Sequence, residues 1–306
     1  MPGRALWDVL GIGASSVDHV YRVPSAPAID GPTSKMRISG HAVSCGGQTA
    51  TALCACSAMG LRTAYLGAVG SDDNGRRVRE AMRSHGVDLA HAVVRTGANQ
   101  YAVIVVDDTT GERIVLWDRD ERLKLRPEDI TAAVIRSARV VHVDDVDEEA
   151  AILAATIAKD AGVPTTTDLD RVTDRTEALI AAVTVPIFAE HVPAALTGES
   201  DPERALRKIR ASHAGLLCVT LGARGAMLLD ADELIHEPAI PVTAVDTTGA
   251  GDVFRAGFIV AMLRGDPPRE MLRFANAAAA ASCRRAGAID GVPSLAEVTA
   301  LAQSPR

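Results

Sequence analysis

The order of short β-rich runs and helical stretches along this 306-residue chain predicts a three-layer α/β/α domain. Two observations carry that expectation. Runs such as Val9–Gly13, Val140–Val143 and Leu216–Leu221 are rich in β-branched residues, and amphipathic or Ala-rich stretches follow most of them. That alternation is the pattern of a mostly parallel sheet covered by helices on both faces. Two segments break the rhythm and predict a small separate β-sheet.

The elements follow in order. Val9 to Gly13 is the first predicted strand, and Gln48 to Met59 an Ala-rich helix stopping at Gly60. Thr63 to Val69 reads as a strand and Asn74 to Ser84 as a charged helix ending at Gly86. Strand and helix pairs follow at 140–143 and 148–161, then at 163–168 and 175–182. Strand 185–188, helix 202–212 and strand 216–221 continue the series, and Gly249 to Leu263 and Arg269 to Arg284 are long helices. The irregular segments are Tyr21 to Ser44, with Pro24, Pro27 and Pro32, and Tyr101 to Trp117, two β-runs around the turn-forming Asp107-Asp-Thr-Thr-Gly111. Together, as about 15–44 and 98–118, they are expected to form a lid rather than an edge extension of the main sheet. No repeat or low-complexity linker divides the chain, so residues 1–306 are expected to form a single domain.

Composition narrows the partners. A net charge of −7 argues against nucleic acid, which demands a basic face. The apolar stretches fall well short of the about 20 residues that cross a bilayer, and the N-terminus lacks a signal-peptide core, so no membrane partner is expected. The 5 cysteines include no Cys-x-x-Cys pair, which fits reduced thiols and a cytoplasmic location.

The chemistry concentrates in Asp246-Thr-Thr-Gly-Ala-Gly-Asp252. Small residues at 249–251 lead into a helix whose N-terminus presents free N–H groups and the positive end of its dipole. Such an end can hold a phosphate, or the charge that grows on a transferring phosphoryl group. Asp252, in the first turn, is placed to accept a proton from an attacking hydroxyl. On spacing alone, an Asp capping a helix is as good an explanation.

This stretch resembles the Asp-Thr-x-Gly-Ala-Gly-Asp signature of the ribokinase-like (PfkB-type) carbohydrate kinases, and five further segments are similar to that family in the same order. Gly11 to Asp18 resembles its first strand, and Gly46-Gly47 with Ala50 its Gly-Gly motif, with Thr51 where the family has Asn. Gly67 to Gly75, Val219 to Gly225 and the tail from Phe274-Ala-Asn276 through Arg285-Ala-Gly287 to Pro293 complete the match. The resemblance implies a ribokinase-like fold with a β-sheet lid, and an ATP-dependent kinase acting on a sugar or acidic sugar derivative. It implies that Asp252 is the general base and that Gly249, Ala250 and Gly251 form the anion hole. Asp18, Gly46 and Gly47 would hold the sugar; Thr220, Gly222 and Gly225 would line the nucleotide site, with Asn276 near the adenine. A monovalent cation such as K⁺ would sit among Asp246, Thr248, Ser282, Arg285, Gly287 and Gly291. Mg²⁺ is implied with ATP, but the family's Asn-x-x-Glu motif is absent. Ala189 and Val192 stand at two of its positions, leaving Glu190, with Asp168 and Asp170 as further carboxylates at a strand end. Dimerisation through the lid is common in the family and is expected here.

Specificity is less legible. Lys35 and Arg119, with Arg37, Trp117 and Arg122, lie in or beside the lid segments, and Arg forks suit phosphate, carboxylate or sulfonate groups. Solvated lid charges are the competing explanation. Thr51, the missing Asn-x-x-Glu and the Arg285–Pro293 tail resemble the branch near sulfofructose kinase. Nucleosides, which stack on aromatics, fit a chain with 2 Trp, 3 Tyr and 4 Phe less well. A catalytically silent binding protein on the same fold is the alternative in another class. A dinucleotide-binding oxidoreductase would need Gly-x-Gly-x-x-Gly after the first strand, where Ala14-Ser-Ser16 follows Gly11-Ile-Gly13.

Overall fold

The computed structural model describes residues 5–25, 35–110 and 112–304, without the side chain of Arg113. Pro27 and Pro32 of the irregular segment and Gly111 of the turn lie outside the described residues.

Strand β1 (Trp7–Ile12) enters the centre of the molecule; β2 (Ser16–Val23) and β3 (Gly40–Gly46) leave it for a separate sheet. Helix α1 (Gln48–Ala58) returns to β4 (Thr63–Leu66), followed by β5 (Ala68–Gly70), α2 (Asp73–Ser84) and β6 (Val93–Arg95). The outlying sheet is completed by β7 (Tyr101–Asp107) and β8 (Arg113–Asp118). The α/β alternation then runs through α3 (Ala132–Ile135), β9 (Ala138–Asp144), α4 (Glu148–Asp160), β10 (Thr165–Asp168), α5 (Thr176–Ala182) and β11 (Ile187–Phe188). It continues with α6 (His191–Thr197), α7 (Pro202–Arg210), β12 (Leu217–Thr220), β13 (Ala226–Asp230) and β14 (Glu233–Glu237). The chain ends in α8 (Ala250–Arg264), α9 (Pro268–Ser282) and α10 (Leu295–Gln303).

Strands β10, β9, β1 and β4 pair in parallel, as do β11 and β12, with β13 and β14 added antiparallel. Bridges Thr166–Val185 and Leu169–Phe188 join the two sets edge to edge. Side chains alternate across this sheet: Val9, Val140 and Cys218 enter one buried cluster, and Leu10, Val141 and Leu217 the other. Helix α1 is buried around its circumference, which explains its small Ala, Thr and Cys residues, including both Cys54 and Cys56. It packs on β1 so closely that a Cβ at Gly11 would sit 2.6 Å from Leu53 Cδ1.

The outlying sheet has the order β3-β2-β7-β8, and its strands share no ladder with the central sheet among the described residues. The expected separate sheet is present, and an edge extension is excluded. Two sequence expectations need correction. The predicted strand 63–69 is two strands in different sheets, broken at Gly67, where a Cβ would lie 2.1 Å from the Tyr65 hydroxyl. The β13–β14 hairpin and α10 were not read from the sequence at all.

Helices α8 and α9 touch through small residues, with a Cβ at Gly257 falling 2.8 Å from Ala278 Cβ and 2.9 Å from Ala275 Cα. Overpacking that seam with Gly257→Val is expected to lower stability by about 1–3 kcal/mol, read from the midpoint of urea unfolding.

Candidate active site

Parallel strands bring their carboxyl ends to one edge, where α/β sheets bind ligands. Here β9 ends at Asp144, β10 at Asp168 and β12 at Thr220. Asp144 is buried and accepts hydrogen bonds from Ala14 N at 2.7 Å and Thr49 Oγ1 at 2.8 Å, tying the end of β1 to α1.

Helix α8 starts at this edge. Gly249 caps it in the left-handed region, at φ 77°, a conformation that favours glycine. The N–H groups of Gly251 and Asp252 therefore stand at the open end of a four-turn helix. Asp252 is half-buried, and burial together with the neighbouring Asp168 carboxyl pushes its pKa well above the ordinary carboxylate value. Asp168 is also raised, chiefly by burial. Opposing both shifts is Arg255, whose Nη2 lies 2.6 Å from Asp168 Oδ1 with both side chains buried. The two carboxyls thus belong to one buried charge network around Arg255.

Asp18 stands on β2 with Ser44 and Ala102 as its strand neighbours. Burial raises its pKa against the Ser16 hydroxyl hydrogen bond. Gly46 and Gly47 pass close by: a Cβ at Gly46 would be 3.3 Å from Asp18 Oδ2, and one at Gly47 2.5 Å from Ser15 Cα. A cavity of about 500 Å³ opens here, lined among others by Asp18, Gln48, Gln100, Trp117, Lys124 and Arg171. The sequence reading missed Gln48, Gln100, Lys124 and Arg171; only Gln48, directly after Gly46-Gly47, carried a positional signal.

The charged residues of the outlying segment divide. Arg119 lines the cavity, but its fork is bidentate to the buried Asp147 at 2.9 and 2.6 Å, and Nη2 also donates to Leu123 O. A second cavity, of about 750 Å³, lies between the outlying sheet and the Ala244–Thr248 loop; Arg122 is paired with Asp120, and Lys35 and Arg37 are exposed and line neither cavity. Lys124, by contrast, lines the cavity with no ion-pair partner among the described residues.

On the other side of α8, Thr220 Oγ1 donates to Phe188 O, and Gly222 adopts φ 55° in open space. Gly225 is required for a different reason, since a Cβ there would meet Glu237 O at 2.1 Å. Asn276 is buried and its amide donates to Glu237 O and Pro238 O, so it holds this loop from behind. Glu190 forms an ion pair with Arg224 of the Gly222–Gly225 turn.

The residues expected around a monovalent cation do converge. Asp246 Oδ1 accepts from Thr248 N and Oγ1, and Oδ2 from Gly287 N. Around Gly291, the carbonyl oxygens of Gly287, Ser282 and Arg285 lie 2.4, 3.5 and 3.7 Å from where a Cβ would be, an oxygen-lined cradle that fits a hard cation. The Arg285 guanidinium turns away to Glu297, so only its carbonyl serves. Among the described residues no cluster of His, Cys, Asp and Glu fits a metal, and Asp168 is closed to one by Arg255.

Residues 8–295 match the pfkB family carbohydrate kinase profile. The chain is 32% identical to an ATP-dependent ribose-1-phosphate kinase of Halopiger xanaduensis over 282 residues, covering 92% of this chain and 93% of the relative. A candidate ribokinase from Agrobacterium tumefaciens superposes with a TM-score of 0.89 at 29% identity over 98% of both chains. A candidate ribokinase II from E. coli, solved with ATP and Mg²⁺, gives 0.83 at 23% identity over 97% of this chain and 99% of that one. Fold and carboxyl-edge site define an α/β phosphotransferase. The protein belongs to the pfkB family of carbohydrate kinases.

The Arg119–Asp147 pair anchors the end of β8 to the start of α4. Arg119→Met leaves a buried carboxylate without its partner and is expected to cost roughly 3 kcal/mol, read by chemical denaturation.

Proposed function

We propose that this ATP-dependent sugar kinase transfers the γ-phosphate to a hydroxyl of an anionic sugar, a sugar phosphate being the best fit. Its sugar would lie in the cavity between Asp18, Gly46-Gly47 and the inner face of the outlying sheet, which acts as a lid. Asp252 is the general base, and the N–H groups of the Gly249–Gly251 turn take the charge of the transferring phosphoryl group. The observation that carries this reading is the placement of Asp252 in the first turn of a helix whose open end faces the carboxyl edge of the sheet. A raised pKa makes its carboxylate a better proton acceptor from an alcohol than an ordinary one.

ATP would lie along Thr220 and Gly222. Mg²⁺ supplies charge neutralisation for its phosphates, and Glu190 is the carboxylate present on that side to orient it. The carbonyl cradle at Ser282, Arg285 and Gly287, with Asp246 and Thr248, would hold K⁺. The anionic preference is supported by Lys124 in the cavity wall and by the ribose-1-phosphate kinase relative.

The register splits the lid's two faces. Asp18, Val20 and Ile104 face inward to the cavities; Val43, Ile114 and Leu116 lie on the opposite face, the last 59% exposed. We assign that outer apolar face to a second copy of the chain. All five cysteines are free, and no described helix is long and apolar enough to cross a membrane, which supports a cytoplasmic location.

ADP release is to be measured with ribose 1-phosphate, ribose, fructose and a nucleoside as acceptors. Turnover with the sugar phosphate, falling by about 10²–10⁴-fold in Asp252→Asn, is expected. Equal turnover by the variant would remove Asp252 as base, and no ADP with any acceptor would favour a silent binding protein. In light scattering the wild type is expected as a dimer and Leu116→Asp as a monomer.

A further inference from the structure

Asp168, expected from the sequence only as a carboxylate for Mg²⁺, forms with Arg255 a buried ion pair beside the start of α8. Arg255 is one turn along α8 from Asp252, and its guanidinium reaches back beneath the helix start. Its Nη1 donates to Gly251 O at 3.0 Å, and Nη2 pairs with Asp168 and lies 3.4 Å from Ile187 O. One planar side chain thus ties the phosphate-facing turn of α8 to the ends of β10 and β11. Arg255 and Asp168 are each only 3% exposed, so the pair is held in a water-poor interior, where one partner alone would be costly.

We propose that Asp168 and Arg255 are a positioning pair that orients the Asp252 carboxyl and sets its basicity. This assignment rests on the kinase reading above. Arg255 links Gly251, next to Asp252, to Asp168, so the two carboxyls share one buried charge network and the Asp168 charge disfavours ionisation of Asp252. Arg255 opposes this repulsion and favours the ionised form of Asp168. With its pKa raised by burial and by the Asp168 charge, the Asp252 carboxyl is a stronger base than an exposed carboxylate. The other charged groups facing the pair are Asp144, Asp145 and Asp170 from the neighbouring strand ends. His142 of β9 is also close, but burial and the Arg255 charge lower its pKa to about 3 and keep it neutral.

The signs of three substitutions follow. Asp168→Asn removes a negative charge from beside Asp252, so the acid limb of the kcat/KM profile moves to lower pH. A weaker base also lowers the plateau. Arg255→Met removes the opposing positive charge, so the acid limb moves to higher pH and kcat at neutral pH falls. Arg255→Lys keeps the charge but loses the fork; the limb stays near wild type while kcat falls, because Gly251 and Ile187 are released. In each case KM for ATP changes less than kcat.

An activity-independent reading accompanies these profiles. Both carboxyls have folded pKa values above the unfolded value near 4, so the folded protein binds more protons and its stability falls as pH rises from there. Thermal unfolding of the wild type across that range should show this decline, and Asp168→Asn should flatten it. The proposal is overturned if the acid limb is unmoved in both Asp168→Asn and Arg255→Met while their melting temperatures drop, because that is the signature of a merely structural pair. It is equally overturned if the wild-type and Asp168→Asn pH–stability curves run parallel. Should the wild type release no ADP with any acceptor, the kinase reading fails, and the stability curves alone decide whether Asp168 is coupled to Asp252.

Discussion

The arrangement of the site depends on one buried guanidinium. Arg255 sits where the start of α8 meets the carboxyl ends of β10 and β11, and it bonds a carbonyl or carboxylate on each. Without that fork the helix start, an open turn of Gly249, Ala250 and Gly251, has little side-chain packing to fix it. The remaining support comes from Asp246, whose carboxylate clamps Thr248 to Gly287 across the loop. The glycines give the approach that phosphate chemistry needs, and the charged residues around them supply the rigidity that glycine lacks.

A second constraint is the outlying sheet. Asp18 stands among apolar residues such as Val20 and Ile104 on its inner face, and side-chain bonds tie its base to the main domain. Arg119 to Asp147 is one, and Asn99, which donates to Ser15 O and accepts from Gly70 N, is another. Both lie at the base of the sheet, beside the cavity. In the proposed reading this sheet would close over the sugar as a body, with Asp18 held in register by its strand neighbours.

Most of the fold was legible because the buried sheet demands β-branched runs and the helices demand small, regularly spaced residues. The β13–β14 hairpin escaped because Ala226–Asp230 has no β-branched residue to mark a strand. Within the site, Asp18, Gly46-Gly47 and the Asp246–Asp252 run were recoverable as local motifs. Arg119 was read as a ligand for the substrate, since its type and position suit that task; only the fold brings Asp147 to it from 28 residues away. Lys35 was named for its charge alone, and it lines neither large cavity. Arg255 and Asp168 show the limit most clearly. They are 87 residues apart in the chain, and no local motif links them. Their partnership exists only in three dimensions.

The central claim is that the first turn of α8 is where phosphoryl transfer occurs. A crystal structure with ADP, tetrafluoroaluminate and a sugar phosphate tests it directly. The planar anion should lie against the N–H groups of Gly251 and Asp252, with the accepting sugar hydroxyl in hydrogen-bond reach of the Asp252 carboxylate. An anion bound elsewhere, or a sugar whose hydroxyls all lie beyond reach of Asp252, would contradict the account.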